Sequence, residues 1–127
     1  MKQEFKDLCN TLQSMPYEAH WLHTIPPEDV LKGVPSDCSD RTWVLADWCE
    51  QHNIKYRLVW SLFTTPLSLH VSLMVDGYIY DSTHPYYEEP YTSYKRKLGA
   101  KIYLTTGGWI RYYIRLGEDF IKQYVDC

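Results

Sequence analysis

The chain has no apolar run near the ~18 residues that a membrane-spanning helix needs. Its first ten residues, MKQEFKDLCN, lack the apolar stretch of a secretory signal. With both absent, the expected site of action is cytoplasmic, with no membrane partner. Basic surplus is missing too: 13 Lys and Arg stand against 16 Asp and Glu, for a formal charge of -3. General nucleic-acid binders usually carry a basic excess, so nucleic acid is not an expected partner. The local run Lys95-Arg96-Lys97, with Lys101, reads as a solvated loop. No internal repeat, low-complexity tract or linker interrupts the sequence, so residues 1–127 are expected to form a single domain.

Cysteine is sparse, and its spacing excludes two common uses. No CxxC motif or Cys/His pair at metal-ligand spacing occurs, so neither a zinc site nor any other metal or cofactor is expected. Cys38 and Cys49 would share one helix face, but eleven residues put them about 16 Å apart along the axis, too far for a disulfide. Reduced thiols are therefore expected, with Cys9, Cys49 and Cys127 as packing or tail residues. Aromatic residues are plentiful instead: five Trp, twelve Tyr and three Phe make up 16% of the chain. Because Tyr packs with a polar tip in water, this richness suits a small core with wet edges.

Periodicity outlines an α+β protein. Phe5, Leu8, Cys9 and Leu12 lie at helical spacing within residues 3–14, and Pro16 ends that segment. A short stretch with His20, Trp21 and His23 leads to Pro26-Pro27, which is expected to start an extended or turn-like approach to Cys38. Val44, Leu45, Trp48, Cys49 and His52 then form one helical stripe, with Asp40, Asp47, Glu50 and Gln51 largely opposite. Ser36 or Asp37 can cap this helix and Asn53 can close it. Residues 55–63 alternate as a strand. Strands at 69–75 and 78–81 flank Asp76-Gly77, a strong hairpin signal. A loop is expected over 82–97, a strand over 101–106, and a helix over 109–125 that Gly117 weakens. Helices beside an antiparallel sheet define the class.

Three residues in this arrangement can support chemistry. Cys38 falls at a helix start, where the helix dipole favours a thiolate. Such a nucleophile needs a base, and the base needs an orienting partner. A two-residue Asp76-Gly77 turn sets Val75 opposite Tyr78, hence Ser72 opposite Asp81 and His70 opposite Thr83. His70 and Asp81 then share a face as diagonal neighbours, roughly 7–8 Å apart and within side-chain reach. Taken singly, each residue also has a plain structural use. A cysteine at a helix start can be a small buried residue, a strand histidine can be a hydrogen-bonded one, and Asp81 can begin a turn. Leu69, Val71, Leu73 and Val75 form the more apolar face of their strand. A triad is thus expected to require the Cys38 helix on the other face, with His70.

The run PPEDVLKGVPSDCSDRTWVLADWCEQHNIKYRLV resembles the nucleophile region of the transglutaminase-like superfamily, and LHVSLMVDGYIYDST resembles its His and Asp strands. The order Cys, His, Asp matches, over residues 26–83; Ser36 stands where that family most often has Gly. The resemblance implies a papain-related core with the nucleophile helix packed on an antiparallel sheet. It also implies Cys38, His70 and Asp81 as a catalytic triad acting on amide or peptide bonds, as protease, amidase, deamidase or transglutaminase. A protein or peptide substrate follows. The oxyanion would be met by the Cys38 backbone N–H and an upstream side chain, for which Trp21 is the candidate, followed by His20 and Gln13. Trp21 reads more readily as core filler than as donor, and Asp37 and Asp40 as structural caps. The loop 84–97 is expected to form a lip of the site, and nothing in the sequence offers an acidic calcium loop. The same fold used as a non-catalytic binding module is the alternative.

Overall fold

The computed structural model describes residues 2–19 and 24–125, with side chains through residue 121. In chain order the elements are α1 (Gln3–Gln13), α2 (Pro27–Leu31), α3 (Cys38–Gln51), β1 (Arg57–Thr64), β2 (Leu67–Val75), β3 (Tyr78–Tyr80), β4 (Tyr87–Pro90), α4 (Tyr91–Leu98), β5 (Ile102–Gly107) and α5 (Ile110–Val125). The strands form one sheet in the order β4-β3-β2-β1-β5, with every pairing antiparallel. The class is α+β.

The two ends of α3 are fixed by its own sequence. The Asp37 carboxylate accepts hydrogen bonds from the Ser39 and Asp40 backbone N–H groups, each at 3.1 Å. Asp40 returns the bond by accepting from the Asp37 N–H at 2.9 Å, which completes a reciprocal capping box. Its carboxylate also accepts from the Ile25 N–H, so Asp40 is fully buried rather than on the solvated side of the helix. At the other end Asn53 takes φ +56, the left-handed step that stops a helix. The hairpin behaves similarly: Asp76 and Gly77 both have positive φ, and Val75 pairs with Tyr78, Met74 with Ile79 and Leu73 with Tyr80. That register is the one the two-residue turn dictates. The ladder ends at Leu73–Tyr80, however, so Ser72–Asp81 and His70–Thr83 do not pair.

Helices cover both faces of the sheet. On one, Phe5, Cys9 and Leu12 of α1 and Val44, Leu45 and Cys49 of α3 pack against Leu73 and Val75. Cys38 and Trp43 extend this layer over Leu58 and Val71. On the other face, Tyr94 of α4 closes over Val59 and Ile79. Helix α3, with Cys38 at its start, therefore lies on the apolar side of β2, opposite to the face expected for a triad. Hydrophobic burial decides this, since Val71, Leu73 and Val75 are the best apolar surface that β2 offers.

Two expectations about loops are corrected. Residues 82–97 hold β4 and α4 rather than loop alone, so Lys95-Arg96-Lys97 lies on a helix, where Lys97 pairs with Glu89 at 2.7 Å. Tyr91, Tyr94 and Leu98 stand at helical spacing between Pro90 and a left-handed Gly99, a signal that the surrounding charge obscured. The approach after Pro26 is likewise helical over Pro27–Leu31, with Pro at the first position where its missing N–H costs nothing. α5 runs through Gly117 because Ile110 and Ile114 pack on the Trp43 cluster and Arg111 pairs with Asp47 at 2.7 Å. Among the described residues, no helix is long and apolar enough to cross a membrane.

Candidate functional site

A gap in the sheet brings the candidate residues together. β3 stops pairing with β2 after Tyr80, and the Asp81 N–H turns away to donate to the Tyr86 carbonyl at 3.0 Å. Residues 70–72 of β2 are thus left without a strand on that side. The first turn of α3 fills the opening: the Thr42 hydroxyl reaches the Val71 carbonyl at 3.1 Å and the Cys38 carbonyl at 2.6 Å, sharing its single hydrogen between them. A helix packed on one face of the sheet consequently meets a histidine assigned to the other. Cys38, at 9% exposure, and His70, at 6%, have only a narrow opening to solvent.

His70 Nε2 lies 2.8 Å from Asp81 Oδ2, and Cys38 is near enough to help raise the imidazole's pKa. Because Asp81 occupies Nε2, Nδ1 is the ring nitrogen left for the thiol. Asp81 is held from every side. Its Oδ1 accepts from the Thr83 and His84 N–H groups, each at 2.9 Å. Its Oδ2 also receives the Tyr94 hydroxyl at 2.8 Å and faces His84 Nδ1 at 3.2 Å. The two imidazoles meet edge to face at 4.6 Å.

Electrostatics favour the ionised His70–Asp81 pair. Burial alone would lower the His70 pKa, but the bond to Asp81 and the nearby Cys38 outweigh it and hold the imidazole up at about 10. Burial would raise the Asp81 carboxyl, yet His70 and His84 bring it far below the usual carboxylate range. Two buried thiols, Cys9 and Cys49, are held protonated. Desolvation, aided by the Asp81 charge, raises Cys9 to about 12, and desolvation beside Glu50 raises Cys49 to about 12.

Of the expected oxyanion partners, Trp21 and His20 lie outside the described residues. Gln13 is already committed: its amide donates to the Asp81 carbonyl at 2.7 Å and to the His84 carbonyl at 2.8 Å, which uses both hydrogens. It anchors the 81–84 turn and is not free to donate to substrate. The Tyr17 hydroxyl instead lies beside the Cys38 backbone, whose N–H slightly favours the ionised phenol. Tyr17 is held beside Ser36 by a parallel bridge that includes Glu18 N–H to Ser36 carbonyl at 3.0 Å. Burial, and after it the charges at Cys38 and Asp37, raise the phenol's pKa, so it keeps its hydrogen.

Arg41 was not anticipated. It is 1% exposed and donates to the carbonyls of Met15 (2.6 Å) and Pro16 (2.9 Å), to the Ser36 hydroxyl (3.1 Å) and to the Ser82 carbonyl (3.4 Å). Its position directly after a capping aspartate gives no periodic signal of burial, because the side chain is consumed by backbone carbonyls that only the fold assembles. His84 and Tyr94 give no such signal for a different reason, since both fall within a segment read as loop and meet Asp81 only in the fold. Of that segment, His84 at least does border the site.

The larger groove described runs between α5 and the α2–α3 region, past Trp43, Trp109, Arg111 and Glu118, and is lined by none of Cys38, His70 or Asp81. Compared with family models, with curated proteins and with solved structures, the chain matches none.

Proposed function

We propose that this chain is a cysteine-nucleophile acyl-transfer enzyme of the transglutaminase-like kind, working on amide or peptide bonds of a protein or peptide substrate. The observation that carries this reading is the placement of one imidazole between a thiol at a helix start and a fully buried carboxylate. His70 takes the Cys38 proton on Nδ1, and the thiolate attacks the carbonyl carbon, forming the C–S bond while the carbonyl π electrons move to oxygen. Asp81 fixes the ring with its hydrogen on Nε2 and stabilises the imidazolium. The oxyanion is met by the Cys38 N–H and by the Tyr17 hydroxyl, which swings aside from that N–H as the carbonyl oxygen enters. As the C–N bond breaks, His70 returns the proton to the leaving amine, and water or a second amine then resolves the thioester.

Several neighbours support the reading by serving only to hold these groups. Gln13 fixes the Asp81 turn, Thr42 docks the nucleophile turn against β2, and Tyr94 steadies the carboxylate. The test uses p-nitrophenyl acetate, an activated ester that needs no specificity pocket. The expected result is a burst of p-nitrophenolate and a single acetyl group mapped by mass spectrometry to Cys38. The Cys38→Ala variant is expected to lose the burst and the label. Acetylation spread over all the thiols, or a burst that survives Cys38→Ala, rules the reading out.

A further inference from the structure

A nucleophilic triad needs one imidazole on its carboxylate, yet two converge here on the same oxygen. His70 Nε2, Asp81 Oδ2 and His84 Nδ1 all lie within 4.8 Å of one another. We propose that these three atoms bind one divalent transition-metal ion of zinc's kind, and that its binding switches the Cys38 chemistry off. The second half of this proposal rests on the function proposed above; the first does not.

The donor set fits such an ion. Two imidazoles and a carboxylate suit zinc, whose bonds to nitrogen and oxygen are about 2.0–2.2 Å, so its ligand atoms stand roughly 3.2–3.6 Å apart in a tetrahedron. Two of the contacts, at 2.8 and 3.2 Å, already approach that spacing. The outer shell is also in place. Thr83 and His84 N–H groups hold Asp81 Oδ1, and Tyr94 donates to Oδ2. Gln13 ties down the carbonyls of residues 81 and 84. Outer partners of this sort orient metal ligands and raise affinity. Entry is through His84, whose side chain is 41% exposed and can close on the ion without disturbing the core.

The consequence for His70 follows from its two nitrogens. A metal on Nε2 replaces the bond to Asp81, and the neutral ring then carries its hydrogen on Nδ1, facing Cys38. In that tautomer it cannot accept the thiol proton. His84 thus has a role that the acyl-transfer steps leave unassigned.

The test is a titration of metal-free protein with zinc chloride, followed by calorimetry. The Cys38→Ser variant removes the site's thiol, and it is expected to bind one zinc ion with affinity close to that of wild type. His84→Ala is expected to weaken binding by about tenfold or more, as loss of a ligand or its support typically does. Because His84 is half-exposed, an unchanged melting temperature separates this loss from misfolding, with His84→Gln as a second variant. In wild type, zinc is expected to suppress the p-nitrophenyl acetate burst, with His84→Ala restoring it. Zinc binding that is indifferent to His84, or that disappears in Cys38→Ser, overturns the site. A wild type that shows no burst, while Cys38→Ser still binds zinc through His84, removes the proposed enzyme activity and the switching role but leaves the metal site standing.

Discussion

The Thr42 hydroxyl meets the Val71 carbonyl at 3.1 Å, across the space that β3 leaves when it parts from β2. A helix on the apolar face of the sheet reaches the polar-face histidine through this contact. Thr42→Val keeps the shape and deletes the donor, leaving a buried strand carbonyl without its partner. It is expected to destabilise the protein by about 1–3 kcal/mol. Urea unfolding followed by tryptophan fluorescence measures this, and the p-nitrophenyl acetate burst should slow in parallel. A variant as stable as wild type would mean that the contact does not hold the helix end in place.

Thiol reactivity should separate sharply by position. With pKa values raised to about 12, Cys9 and Cys49 hold only about one part in ten thousand as thiolate at pH 8. Their folded-state values lie above those of the unfolded chain, so they stay protonated until the pH nears 12. Iodoacetamide at pH 8 is therefore expected to spare both in the native protein and to label them once urea unfolds it. Peptide mapping by mass spectrometry decides the matter; native labelling of Cys9 or Cys49 at the rate of Cys38 contradicts it.

Asp81→Asn tests the orientation of His70. The amide oxygen can still accept from the Thr83 and His84 N–H groups, which leaves the amide nitrogen, a donor, facing His70 Nε2. The ring then turns to the tautomer with hydrogen on Nδ1 and loses its ability to take the Cys38 proton. Acylation by p-nitrophenyl acetate is expected to fall on the order of 10³–10⁴-fold. Circular dichroism should remain that of the folded protein. A loss under tenfold in a folded variant would remove Asp81 from the chemistry.

Tyr17→Phe separates oxyanion stabilisation from nucleophilicity. Alkylation by iodoacetamide passes through no oxyanion, whereas acylation does. Acylation is expected to slow by about 10²–10³-fold, the usual cost of one oxyanion donor, with alkylation of Cys38 nearly unchanged. Equal effects on both reactions would reassign Tyr17 to positioning the thiol.

What could be read in the sequence was whatever short-range rules determine. The capping box at Asp37–Asp40, the Asp76-Gly77 register and the helical stripe through Val44, Leu45 and Cys49 each depend on residues a few positions apart. They make Cys38, His70 and Asp81 candidates, and the family resemblance is what joins the three into one expected triad. The helix at Tyr91–Leu98 was hidden because five of its eight residues are polar or charged and only Tyr94 is fully buried. The route from Cys38 to His70 was misjudged for a different reason. Alternation assigns a residue to a face, but it says nothing of where a neighbouring strand stops, and the gap beside His70 depends on that. Arg41 and Gln13 lie furthest from sequence logic, since all but one of their partners, the Ser36 hydroxyl, are backbone carbonyls, which every residue carries.

Arg41 also binds parts of the chain into one energetic unit. Its guanidinium serves the end of the first helix at Met15 and Pro16, the residue before the α3 cap at Ser36, and the turn after the carboxylate at Ser82. Contacts that share one cation are not independent. A double-mutant cycle pairing Arg41→Met with Gln13→Ala should give a coupling free energy of about 0.5–3 kcal/mol rather than simple additivity. Damage at the thiol's side of the site would then register at the carboxylate's side, so that the Cys38 and Asp81 ends of the site are kept or lost together.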